Sequence, residues 1–203
     1  MMATTHALVG IAIATGLGAV FPSVTVMGVI AAAAGGLFPD LDLYAGHRRT
    51  LHYPVYFSIL GVVAVVVAAL VGSPLLWALS LFVIAAAAHS VMDAAGGGLE
   101  LRPWRGNSDR AVYSHYHRKW IRPRRWIRYD GAPEDLALGG LAAIPGLMAF
   151  DGRVALGLYG LLALSVGYVL VRKPMVAVAE WLFERAPRQI TDLLPERFLE
   201  DSA

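Results

Sequence analysis

The placement of charge, more than its amount, constrains what this chain can fold into. Six apolar runs cover residues 7–21, 24–38, 53–71, 75–95, 136–150 and 154–171, and the charged residues fall almost entirely between them. A membrane span needs about 20 apolar residues, which the third, fourth and sixth runs supply. The first, second and fifth reach roughly 22 Å at about 1.5 Å per residue, so they need polar flanks or a locally thinned bilayer. Lipid offers backbone polar groups no partners but each other, so these runs are expected to be helical. Composition agrees, with 16% charged residues where soluble domains carry roughly 25%. The expected fold class is an all-α membrane protein, a polytopic helical bundle. Residues 1–95 form a four-helix core and 96–135 a basic aromatic loop. Two further spans occupy 136–173, and 174–203 form an amphipathic or soluble tail.

The connections suit helical hairpins. Pro22-Ser23 joins the first pair, Gly72-Ser-Pro74 the third and fourth, and Asp151-Gly-Arg153 the last. Pro133-Glu-Asp135 has proline early and acids in the first turn, as a helix start should. Residues 1–20 hold no lysine or arginine, so the charged segment of a signal peptide is missing and the first run reads as a span. With six spans, residues 39–52, 96–135 and 172–203 share the side of the N-terminus. All of the 17 Lys and Arg residues except Arg153 lie there, which makes that side cytoplasmic by the positive-inside rule and the protein a multi-pass protein of the cell membrane.

The same topology gathers chemistry. His6 opens the first span on that side, and Asp40 and Asp42 end the second there. His52 opens the third, and His89 and Asp93 close the fourth. All 6 histidines fall on this face. His89 and Asp93 are four apart and share a helix face. Pro39 disfavours helix at Phe38, so Asp40 and Asp42 are expected on an opened helix end, free to turn to one centre. The chain has no cysteine, which excludes thiolate ligation and disulfides. Imidazole with carboxylate suits zinc first, then manganese or iron. A metal with an open position lowers the pKa of bound water from about 15.7 to about 7, and a carboxylate can serve as general base. The expected metal ligands are therefore His6, Asp40, Asp42, His52, His89 and Asp93. His47 is expected behind the ligands or on the surface. Thr4 and Thr5 read as helix caps. The plainer alternatives are ion pairs of Asp40 and Asp42 with Arg48 and Arg49, and a hydrogen-bonded His89–Asp93 pair joining helices.

These residues resemble the membrane-bound metal-dependent hydrolases of bacteria and archaea. The likeness rests on Thr5-His6, Pro39-Asp-Leu-Asp42, His47-Arg-Arg-Thr-Leu-His52 and His89-Ser-Val-Met-Asp93, and it covers about residues 4–104. Two positions depart from that pattern. Leu51 stands where threonine is usual, with Thr50 one place earlier, and Arg49 replaces a glycine. The resemblance implies hydrolysis by a bound divalent metal. Asp40, Asp42 and Arg48 would then be catalytic, with Arg48 steadying an anionic ester or a developing oxyanion. From the site's location, the substrate expected is an amphiphilic or anionic ester.

Residues 101–130 mix nine arginines and lysines with six tryptophans and tyrosines. That composition fits contact with anionic lipid headgroups at a bilayer face. His115 and His117 read as decoration of this loop. Nucleic acid suits the same charge and aromatics but ranks well below lipid. The tail begins with Val176, Val178, Trp181 and Leu182 set against Glu180, Glu184 and Arg185, an amphipathic pattern expected to lie on the membrane surface and to be interrupted by Pro187 and Pro195. Two other functions use the same acids and histidines. One is a metal or ion transporter, though transport sites sit near the bilayer midplane rather than at one face. The other is a membrane adaptor with a structural metal.

Overall fold

A computed structural model describes residues 1–185. The remainder of the tail, residues 186–203 with Pro187 and Pro195, lies outside the described residues. The described chain is mostly helical, with six α-helices: α1 (Ala3–Gly18), α2 (Val26–Leu37), α3 (Pro54–Val71), α4 (Pro74–Met92), α5 (Pro133–Ala149) and α6 (Gly152–Phe183). Three segments, Pro54–Val71, Pro74–Ala95 and Gly152–Leu182, are long and apolar enough to cross a membrane, whereas Ala3–Gly18 is apolar but shorter.

Local sequence sets the helix ends. Proline, which has no N–H to leave unpaired, stands in the first turn of α3, α4 and α5. α3 stops at Gly72, whose φ of +72° is the left-handed conformation of a helix C-cap. α2 tightens at its end into a 3-10 turn, Phe38–Asp42, with Pro39 in its first positions. α4 does the same at Asp93–Ala95. The two tightened ends carry the acids.

α1 packs against α2, α4 and α5, while α4 also packs against α2 and α3. Leu8, Ile11, Val29, Trp77, Leu81, Ala143 and Leu158 share one buried cluster among these helices. Small residues allow the close crossings. A Cβ on Gly36 would lie 2.5 Å from the carbonyl oxygen of His6, so α1 and α2 meet backbone to backbone at the level of that histidine. A Cβ on Gly35 would lie 2.7 Å from the carbonyl carbon of Phe82, which brings α4 equally close on the other side. The outer faces are apolar and uncovered: Leu70 of α3 is 82% exposed and Leu156 of α6 71%. Apolar surface on that scale needs a cover, and lipid is one.

Residues 96–132 form a folded cap. Val112–Ser114 (β1) pairs antiparallel with Lys119–Ile121 (β2). The N–H groups of Arg124, Arg125 and Ile127 donate to the carbonyls of Ala94, Gly96 and Ala95, so the segment closes over the end of α4. The N–H of Tyr113 donates to the carbonyl of Arg48, which ties the hairpin to the segment before α3.

Two expectations need correction here. The tail expected from residue 174 opens as a continuation of the last helix rather than as a new segment: α6 runs unbroken through Pro174 to Phe183. An interior proline costs about 3 kcal/mol. Contacts with the cap run along the helix and offset that cost. Arg172 reaches Asp130 at 2.8 Å, Arg102 pairs with Glu180, and Lys173 lies over the Trp104 and Tyr129 rings. Nor do Thr4 and Thr5 cap α1, whose first helical residue follows Met2. The Thr5 hydroxyl donates to the carbonyl of Asp135, and Thr4 accepts from Ser165.

Candidate metal centre

Four side chains from two helix ends, those of α2 and α4, and the segment before α3 converge beneath the cap. One donor atom from each of Asp40, His52, His89 and Asp93 lies within 4.8 Å of the other three. His52 Nε2 is 3.2 Å from His89 Nε2 and 3.2 Å from Asp93 Oδ2. His89 Nε2 is 3.4 Å from Asp40 Oδ1 and 3.5 Å from Asp93 Oδ2. Only Asp40 keeps much exposure, with 26% of its side chain open against 1% or less for the other three.

The far side of each ring fixes its proton. His89 Nδ1 is 2.6 Å from the carbonyl oxygen of Gly36, which can only accept, so Nδ1 carries the hydrogen. His52 Nδ1 is 3.0 Å from Asp42 Oδ2 and donates to it. In their neutral forms both rings therefore turn an Nε2 lone pair toward the same point, with two carboxylates around it. Four electron-rich donors at that separation repel one another unless a positive charge lies among them. This carboxylate–histidine arrangement is the one that orients imidazoles on metals.

Asp42 stands one layer behind the four donors rather than among them. Its Oδ1 accepts from His47 Nδ1 at 3.0 Å and from the N–H of Arg48 at 3.3 Å. Its Oδ2 accepts from the N–H of Leu51 at 3.0 Å and from His52. Burial pushes the Asp42 carboxyl up, but the hydrogen bonds from His47, His52 and Leu51 outweigh it and hold the group below the usual carboxylate range. For His52, burial favours the neutral ring, and Asp42 and Asp93 outweigh it to raise the pKa. Burial also works on His47 and prevails over Asp42, lowering its pKa.

His6 also sits beside the four donors rather than with them. Its ring stacks on His89 with centroids 3.6 Å apart, and its Nε2 is 3.3 Å from Asp93 Oδ1. Both ring nitrogens are buried and make no hydrogen bond. Asp93 thus has one oxygen toward His52 and His89 and the other toward His6. Arg48, expected to hold an anion, is turned inward. Its Nε lies 3.5 Å from Asp93 Oδ2, and one Nη donates to the Gly97 carbonyl at 2.8 Å. Its φ of +59° is rare for a residue with a side chain, and the Asp42 and Gly97 contacts hold it there. His115 and His117 stay in the cap, bonded to the Arg49 carbonyl and to Ser114. Asp135, a helix-start acid by sequence, is fully buried and accepts from the backbone N–H groups of Met2 and Gly131.

No family model, curated protein or solved structure matches this chain.

Proposed function

We propose that this chain is a multi-pass membrane protein whose Asp40, His52, His89 and Asp93 hold one divalent metal at the cytoplasmic face and that it hydrolyses an amphiphilic or anionic ester. The observation that carries the reading is the pair of Nε2 atoms 3.2 Å apart, each with its Nδ1 committed to an acceptor and two carboxylates alongside. The donor set of two imidazoles and two carboxylates suits zinc, with manganese and iron next. When bound, such an ion supplies Lewis acidity and a water acidic enough to attack an ester.

The chain's own residues divide the remaining work. Asp42 sets the His52 tautomer, and the Gly36 carbonyl sets that of His89. Asp40, the most open of the four, takes the proton of the attacking water as general base. His6 supports Asp93 from behind and is available as a further ligand. Arg48 offsets the charge of Asp93 and carries its own N–H groups to the edge of the centre. The cap keeps bulk water away from the buried donors, which strengthens each of these interactions.

The test is turnover. Full-length protein in detergent or nanodiscs, offered a panel of acyl and phosphate esters of lipids, should release product. A chelator should abolish that release and added zinc or manganese should restore it. Asp40→Asn, assayed with metal in excess because Asp40 is one of the four donors, should lose turnover. Metal-loaded protein inert to every ester in the panel would overturn the hydrolase assignment.

A further inference from the structure

A cleft of about 190 Å³ opens beside the metal centre, lined by Leu43, Tyr44, His47, Arg49, Leu99 and Trp120. His47 joins it to the centre, because its ring bonds Asp42, and Asp42 bonds His52. The lining is mostly apolar and reaches the surface, where Leu43 is 41% exposed and Tyr44 82%; Leu41, two residues before Leu43 in the chain, is 72% exposed. Among the described residues, no carboxylate lies within ion-pair distance of Arg49 or Arg110. Arg49 is nevertheless held in place. Its guanidinium lies over the Tyr113 ring, 4.8 Å from the centroid, and its carbonyl accepts from His115. Arg110 stacks over Trp120 at 5.9 Å. Stacking orders the guanidinium plane and leaves its N–H edge for an anion.

We propose that this cleft binds the headgroup of a single-chain anionic amphiphile drawn from the bilayer, with Arg49 on its phosphate or carboxylate and the acyl chain lying along Leu41, Leu43 and Tyr44. Two features select that occupant. The volume is below the roughly 300–1,000 Å³ of pockets that enclose drug-sized ligands, so it takes a headgroup and leaves the chain outside. The rim that would carry the chain is apolar, while the unpaired charge at the cleft is positive. A soluble anion would have no use for the exposed leucines, and a neutral lipid none for Arg49. The inference rests on the proposed hydrolase site only for the reason an ester would be brought there; binding itself does not require the metal.

The probe is 1-acyl-glycerol phosphate with a brominated acyl chain, added to full-length protein in phosphatidylcholine nanodiscs. Bromine quenches nearby tryptophan, and the Trp120 signal is taken as the difference between the native protein and Trp120→Phe. Saturable quenching of Trp120 is expected, with brominated lysophosphatidylcholine of the same chain binding at least about tenfold more weakly. Arg49→Gln should weaken the phosphate probe by about tenfold or more, the loss expected for one charge-assisted contact. Arg124→Gln, whose guanidinium lies over Trp126 instead, should leave the affinity unchanged. Arg49 touches none of the four donors, so Arg49→Gln should also retain the native metal content, which confirms that it folds. Equal binding by Arg49→Gln, or equal loss in Arg124→Gln, would overturn the proposal, because attraction would then come from diffuse surface charge. Native protein that binds the probe but no metal would refute the metal reading and leave the cleft. Full metal content with no Trp120 quenching would do the reverse.

Discussion

Replacing Asp42 with asparagine changes one atom and separates the orienting layer from the donors. Four N–H groups converge on its two oxygens, from His47, Arg48, Leu51 and His52, at 3.0–3.3 Å. An asparagine has one oxygen, so its NH2 must face two of these donors whichever way the amide turns. A buried donor left unmatched costs about 1–3 kcal/mol, so the two together cost about 2–6 kcal/mol. If the NH2 faces His52, the ring escapes by moving its proton to Nε2. That hydrogen then points at His89 and removes a lone pair from the centre. If the NH2 faces His47 and Arg48, the cost falls on the Arg48 backbone, already at a φ of +59°. The first arrangement should lower metal affinity by about 10- to 100-fold, the usual loss when a partner behind a metal-ligating histidine is removed, and the second should lower the unfolding temperature instead. The assay is a competition titration of the purified full chain against a chelator of known affinity, with thermal unfolding in the same detergent. Affinity within about threefold of native, in a variant that unfolds at the native temperature, would refute the account of how His52 is oriented.

Three further outcomes follow from the packing and the cap. Gly35→Ala should destabilise the protein by about 1–3 kcal/mol or more, because its Cβ would meet the Phe82 backbone, which cannot rotate away. Gly140→Ala has nothing within 4 Å and should raise the unfolding temperature slightly, by about 0.5–1 kcal/mol of helix propensity; a loss at Gly140 equal to that at Gly35 would refute the close-crossing argument. Asp130→Asn should loosen the cap, since Asp130 accepts from Arg172 and from the Tyr168 hydroxyl. Burial raises the Asp130 pKa, but Arg172 outweighs it and the carboxyl titrates below its unfolded value of about 3.9. Its contribution is thus complete above that pH and lost as the pH falls through the lower folded value. The gap in unfolding temperature between native protein and Asp130→Asn should be full at pH 7 and shrink at pH 3. A gap unchanged across that range would count against the ion pair.

The alternation of apolar runs and polar connections was enough to gather the donors. His52, His89, Asp40 and Asp93 meet because their helices end at one level, and helix ends can be read from a sequence. Which aspartate would ligate could not be read. Asp40 and Asp42 look equivalent in Pro39-Asp-Leu-Asp42, and only the rotation of a tight 3-10 turn sends one to the centre and the other behind His52. Arg48 escaped for a similar reason, since its inward turn depends on a left-handed backbone that arginine rarely adopts. The cap escaped because its structure comes from long-range backbone bonds to Ala94, Ala95, Gly96 and Arg48, which no local pattern of arginines and aromatics encodes. α6 runs past Pro174 because Arg172, Lys173 and Glu180 meet the cap, so tertiary contacts overrode a local breaker.

The central claim is that Asp40, His52, His89 and Asp93 grip one cation. Elemental analysis of full-length protein purified without chelator, joined to X-ray absorption at the edge of the metal found, tests it most directly. The account predicts about one transition metal per chain, held by nitrogen and oxygen donors at about 2.0–2.2 Å, and lost in the double variant Asp40→Ala, His89→Ala. Metal content that survives both substitutions, or native protein that takes up none when zinc, manganese and iron are supplied, would contradict it.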